Sequence, residues 1–197
     1  MDTRPIKVER ETRETNIRLS LDLDSWEKGE LAFAGVPFFS HLLEAMSFHG
    51  GFRLDIAGTG DIDVDPHHLI EDAGLVLGDA LAKTVETYGP VARFAHQVIP
   101  MDEAVSEVSI DVSGRPFIRF DARFPQAYAG QFPVYLVAEF LTALSNRAKI
   151  TLHAHCRYGE NSHHMAESLF KALGKAVAQA YRAVETGTGE RSTKGVI

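Results

Sequence analysis

One motif, present twice, constrains this 197-residue chain more than anything else in it. His67-His68-Leu69-Ile70-Glu71 and His163-His164-Met165-Ala166-Glu167 both read HHxxE. Each opens a run with helical apolar spacing: Leu69, Ala73, Val76 and Ala80 in the first, Met165, Leu169, Leu173 and Val177 in the second. On a helix the first histidine and the glutamate stand four apart and share a face. The second histidine points about 100° away around the axis. Two such helices facing each other with two-fold symmetry would hold two cations, one between His67, Glu71 and His164, the other between His163, Glu167 and His68. A single histidine pair at a helix start reads equally well as an exposed or hydrogen-bonded feature, and it is the second copy at a matched position that favours metal.

The repeat extends past the motif. Adding 96 to the residue number carries His67, His68, Glu71, Leu77, Gly78, Ala80 and Ala82 onto His163, His164, Glu167, Leu173, Gly174, Ala176 and Ala178. The same shift carries Pro37 onto Pro133, each expected to open a short apolar helix. Glycine inside a helix costs about 1 kcal/mol relative to alanine, so Gly78 and Gly174 predict close backbone packing at one place in both halves. The period is too long for a solenoid and implies a duplicated unit with pseudo-symmetry, divided as 1–92 and 93–197.

Between the motifs the chain alternates strand and helix signals. Strands are expected over 6–12, 16–23, 52–56, near 93–100, 104–112 and 116–121, and over 150–155. Helices are expected from Pro37 to His49-Gly50, from Asp65-Pro66 to about Tyr88, over 133–146, and from a Ser162 N-cap through the second motif. This is an α+β pattern. Within it His41 lies in the first helix, and His49 beside two glycines doubles as a capping residue. Glu14 reads as a turn carboxylate, and Arg93 and Arg115 sit at strand beginnings. Lys171, four residues past Glu167, shares its stripe. The Ser192-Thr193-Lys194-Gly195 turn offers hydroxyls, an ammonium and backbone N–H groups suited to a phosphate, without a GxxxxGK[ST] loop.

Composition narrows the classes. A net charge of −7 argues against a general nucleic-acid or membrane-surface role. No run approaches the ~20 apolar residues that span a bilayer, and the polar start, Met1-Asp2-Thr3-Arg4-Pro5, does not read as a signal peptide. The lone Cys156 rules out an intrachain disulfide and a cysteine zinc site. The simplest reading is a cytoplasmic protein.

The stretches Pro37-Phe-Phe-Ser-His41, Ser47-Phe-His49-Gly50, Asp65-Pro-His67-His68-Leu-Ile-Glu71-Asp72, Pro100-Met-Asp102-Glu103, Ser113-Gly-Arg115-Pro116, Asn161-Ser-His163-His164-Met-Ala-Glu167 and Ser192-Thr-Lys194-Gly195 resemble the imidazoleglycerol-phosphate dehydratases of histidine biosynthesis. The resemblance spans nearly the whole chain. It implies two duplicated halves, each a four-stranded sheet with two helices, of the ribosomal protein S5 domain 2-like type. It also implies a homo-oligomer, a 24-mer, with two Mn2+ per active site at subunit interfaces. One manganese site would resemble His41, His67, Glu71 and His164, and the other His68, His163, Glu167 and Glu139, a position where some relatives carry histidine. Arg93, Arg115, Lys171, Ser192, Thr193 and Lys194 would meet the substrate phosphate, with Glu14 and His49 near its glycerol and ring. The implied reaction is a dehydration with Glu14, Glu71 and Glu167 as candidate acid and base groups. A dinuclear metallohydrolase would more often carry aspartate-rich ligands. An S5-like RNA-binding module is opposed by the acidic charge, and a metal-storing assembly would leave the terminal phosphate turn unexplained. HHxxE is not the HExxH of zincin proteases.

Overall fold

The computed structural model describes residues 5–184. Strands β1 (Ile6–Glu11) and β2 (Thr15–Asp22) form an antiparallel hairpin, Ile6 opposite Leu21 and Glu11 opposite Asn16. The two-residue period of a strand buries Ile17, Leu19 and Leu21 and leaves Asn16 and Arg18 outside. A short strand, β3 (Leu31–Phe33), precedes helix α1 (Pro37–Gly50). The proline suits the first helical turn, and Gly51 at φ 72 ends α1 in the left-handed conformation that glycine adopts without strain. Strand β4 (Arg53–Gly60) and helix α2 (His67–Tyr88) complete the first half. Its strands lie in the order β1-β2-β4-β3, with β3 parallel to β4.

The second half repeats this arrangement. Strands β5 (Phe94–Met101), β6 (Ala104–Asp111) and β7 (Phe117–Asp121) are followed by a small hairpin, β8 (Tyr128–Ala129) with β9 (Phe132–Pro133). Helix α3 (Leu136–Ala148), strand β10 (Thr151–Tyr158) and helix α4 (Ser162–Ala180) follow. The sheet order is β5-β6-β10-β7, strand for strand that of the first half. The expected architecture, two four-stranded sheets and four helices, is therefore what the chain forms.

Two local expectations need correction. Pro133 does not open a helix: it closes the β8–β9 hairpin around buried Phe132, and α3 begins at Leu136. Asn161, not Ser162, caps α4, its side-chain oxygen accepting the His163 N–H at 2.9 Å. The Ser162 hydroxyl is buried and exchanges hydrogen bonds with the Gln126 backbone, both at 2.9 Å. The short strand β3 and the β8–β9 hairpin carried no period long enough to read in sequence.

All four helices lie between the two sheets. α2 rests on β1 and β2 and packs against α3, and α4 rests on β5 and β6 and packs against α1. The halves thus meet through crossed helix pairs over one continuous core, in which the Phe140 ring lies 5.3 Å from that of Phe39 and 5.4 Å from that of Phe170. The paired glycines sit where the backbones touch. A Cβ on Gly174 would stand 1.9 Å from the Met46 carbonyl oxygen, and one on Gly78 would stand 2.7 Å from that of Leu144. No helix among the described residues is long and apolar enough to cross a membrane.

Candidate metal centre

Packing of α1 along α4 brings His41, His163 and Glu167 together, with their candidate ligand atoms all within 4.8 Å of one another. His163 and Glu167 are one helical turn apart, and Nε2 of His163 lies 3.0 Å from Glu167 Oε2. His41 Nε2 reaches the same oxygen at 2.9 Å from α1. The two imidazoles are half exposed, whereas Glu167 is buried. Phe38 holds the His163 ring edge-on at 4.8 Å between centroids. The other carboxylate oxygen, Oε1, accepts from Lys171 Nζ at 2.7 Å. Burial by itself would raise the Glu167 carboxyl. The hydrogen bonds from Lys171, His41 and His163 outweigh it and hold the pKa down to about 2. Two imidazole nitrogens and an ionised carboxylate converging from rigid helices are a donor set suited to a divalent transition ion.

Within one chain this grouping differs from the expected division of ligands. His41 stands with His163 and Glu167, not with His67 and Glu71, because α1 packs on α4 and not on α2. The pseudo-symmetry explains the exchange. His41 precedes the crossing residue Met46 by five positions, and His163 and Glu167 precede its partner Gly174 by eleven and seven. On the other helix pair, Glu139 precedes Leu144 by five, and His67 and Glu71 precede Gly78 by eleven and seven. Glu139, in the first turn of α3, therefore occupies on the α2–α3 pair the place that His41 holds on α1–α4. Among the described residues only the His41 set closes to three ligand atoms.

The second histidine of each motif points elsewhere and meets a different carboxylate. His68 Nδ1 lies 3.0 Å from Asp61 Oδ2, and His164 Nδ1 lies 2.8 Å from Glu103 Oε2. Glu14, exposed in the β1–β2 turn, is 3.8 Å from His68 Nδ1, and Asp102 is 3.9 Å from His164 Nε2. The hydrogen bond from His164, helped by backbone N–H groups, holds Glu103 down to about 2. Behind Glu71, buried Asp72 accepts the Thr15 hydroxyl and pairs with Arg10 Nε at 2.8 Å, tying the Glu14 turn to the start of α2.

The anion-binding candidates are less closely gathered. Arg93, at φ 75 just before β5, is ion-paired to Asp111 at 2.7 Å, which raises its pKa. Arg115 is exposed in the β6–β7 turn, its N–H donating to Ser113 Oγ at 3.3 Å. His49 ends α1 and titrates below its ordinary range, first through desolvation of its ring and then through the Lys171 charge. Ser192, Thr193 and Lys194 lie outside the described residues. The sequence reading gave no role to Asp61, Glu103 or Asp72. Each stands within or beside a quoted motif or acidic run, but single carboxylates carry no periodic signal.

The chain matches the sequence family described as imidazoleglycerol-phosphate dehydratase across residues 34–177. It is 44% identical over 193 residues to the imidazoleglycerol-phosphate dehydratase of Alkaliphilus metalliredigens, covering 98% of each chain. It is 42% identical over 198 residues to that of Halorhodospira halophila, covering 100% of both. Its fold superposes on the crystal structure of the Staphylococcus aureus dehydratase with a TM-score of 0.78 and 32% identity, covering 90% of this chain and 99% of that one. For the Pyrococcus furiosus structure the TM-score is 0.83 with 36% identity, covering 96% of this chain and 100% of that one. Likeness of this degree over almost every residue, on the same arrangement of sheets and helices, makes the chain a member of the imidazoleglycerol-phosphate dehydratase family.

Proposed function

We propose that this chain dehydrates D-erythro-imidazole glycerol phosphate to imidazole acetol phosphate in histidine biosynthesis, as a metal-dependent cytoplasmic hydro-lyase. The observation that carries the reading is the His41–His163–Glu167 cluster, drawn from two helices of different halves. Its pseudo-symmetric counterpart is Glu139, His67 and Glu71. His68 and His164 fall outside both sets within one chain, so they would complete the sites of neighbouring copies, which supports a homo-oligomer with two Mn2+ per site; its size, a 24-mer, is what the family resemblance implies. The matching strand orders support taking 1–92 and 93–197 as copies of one unit.

The proton to be removed sits on a carbon with no carbonyl beside it, so the imidazole ring of the substrate has to take up the electron pair. Bound divalent cations would supply Lewis acidity toward that ring, lowering the cost of its deprotonation. Arg93, Arg115, Lys171, Ser192, Thr193 and Lys194 would hold the phosphate and fix the approach of the ring. Lys171 has three donors and gives one to Glu167 Oε1, so it can serve both groups. Arg93 would have to share or exchange its pairing with Asp111. His49 lies toward the same end of α1 as Lys171 and would flank the ring.

Glu14 would give its proton to the departing hydroxyl: it is exposed, in a hairpin turn, and beside His68. Glu71 or Glu167 would accept the carbon-bound proton. Glu167 already accepts from Lys171, His41 and His163, whereas the Glu71 side chain makes no hydrogen bond or ion pair among the described residues. Hydrogen and hydroxide leave together without net redox change.

The test is conversion of the substrate to its enolisable ketone before and after chelation. The ketone should form, its formation should stop when metal is removed, and it should return with added Mn2+. Release of inorganic phosphate in place of the ketone, or turnover indifferent to chelation, would overturn the reading.

A further inference from the structure

The two histidines outside the three-ligand sets share a feature that the duplication did not simply copy. Each has Nδ1 against a carboxylate oxygen, His68 on Asp61 at 3.0 Å and His164 on Glu103 at 2.8 Å. A carboxylate accepts and cannot donate, so Nδ1 carries a ring hydrogen, and in the neutral imidazole, the form that can ligate a metal, the lone pair is on Nε2. The two carboxylates come from different places in the repeat. Glu103 lies in the β5–β6 turn, whereas Asp61 follows β4. The first-half counterpart of the Glu103 turn is the β1–β2 turn, which carries Glu14, and Glu14 stops 3.8 Å short of His68. One contact has thus been rebuilt from an unrelated element.

Both carboxylates are themselves fixed. Glu103 Oε1 accepts the backbone N–H groups of Glu160 at 3.0 Å and Asn161 at 2.8 Å, at the mouth of α4. The Asp61 N–H donates to the Glu14 carbonyl at 3.1 Å, and its own carbonyl accepts from Val64 at 2.9 Å. Among the described residues Asp61 Oδ1 is buried without a hydrogen-bond partner, a cost that folding alone gives no reason to retain.

We infer that Asp61 and Glu103 are positioning residues that lock His68 and His164 with Nε2 presented as a metal ligand, Asp61 having replaced the hairpin carboxylate and so released Glu14 for the substrate. This rests on the two-metal reading above. Partners of this kind fix the orientation and raise the basicity of a ligating imidazole, and their loss typically weakens metal binding 10–100-fold.

The full-length protein, stripped of metal and titrated with MnCl2 in a calorimeter with metal content measured in parallel, tests the inference. Asp61→Asn and Glu103→Gln should each weaken Mn2+ binding about 10–100-fold, in one of the two binding events and not the other. Glu14→Gln should bind Mn2+ within about twofold of the parent chain. Thermal melting of the metal-free variants separates this from unfolding. If either amide variant melts early, Asp61→Glu and Glu103→Asp, which keep the charge and displace it by one carbon, should show the same selective loss. Variants that bind Mn2+ as the parent does, or a Glu14→Gln loss as large as that of Asp61→Asn, overturn the inference while leaving the dehydratase reading intact. A parent chain that binds no Mn2+ sinks both.

Discussion

Glu167 takes hydrogen bonds from two imidazoles and one ammonium while buried, and that competition decides its behaviour. Its pKa falls from the ordinary 4.5 to about 2, so the stability it contributes is fully present above about pH 4.5 and fades as pH drops toward 2. The urea midpoint of the metal-free protein should therefore fall between about pH 5 and about pH 2.5, and Glu167→Gln should show a smaller fall. Glu14 predicts the opposite separation of effects, because it stands 3.8 Å from the His68 Nδ1, on the side of the ring away from Nε2. Glu14→Gln should lower kcat by roughly 10²–10⁴-fold, the usual contribution of a general acid, with metal content unchanged, and a metal assay beside the turnover assay checks it. At this scale the sequence singled out the HHxxE residues because repetition marks them, and His163 and Glu167 do stand in the cluster. It did not show that His41 stands beside His163 and Glu167 within one chain, because spacing along one helix says nothing about which helix packs against it. Asp61 and Glu103 stayed hidden for a related reason: their meaning lies in contacts with residues far along the chain.

Strands and helices of eight residues or more were legible from their periods, since burial of one face imposes a repeat that the eye or a count can find. The three-residue β3 and the two-residue β8 and β9 were not, and Pro133 misled because proline also suits the end of a tight hairpin. The glycines read correctly, and they give a prediction at this scale. Alanine at Gly174 gains about 1 kcal/mol in helix propensity, but its Cβ would fall 1.9 Å from a backbone carbonyl that cannot rotate away. Overpacking of this kind costs about 1–3 kcal/mol or more, so the steric effect wins. Gly174→Ala should lower Tm, and Gly78→Ala, with its nearest contact at 2.6 Å, should lower it less.

For the whole molecule, the one three-ligand cluster among the described residues draws on both halves, His41 from the first with His163 and Glu167 from the second. If His68 and His164 complete the sites of neighbouring copies, as proposed, removal of metal should cost assembly as well as turnover. On chelation the native particle should shrink in light scattering and re-form with Mn2+, and a particle of unchanged size would separate assembly from the cations. The fold class was readable at this level because the two halves share one order of elements apart from the β8–β9 hairpin, whereas the crossing of the helix pairs depends on side-chain shapes that no single stretch displays.

That crossing has a historical corollary. A lone ancestral repeat with such helices would have owned only fragments of a cation cage, and two separate molecules would have needed to embrace before either could grip an ion. Joining them on one polypeptide would turn a chance meeting into a built-in one, and would free each copy to drift, to a histidine on one crossing and a glutamate on the other.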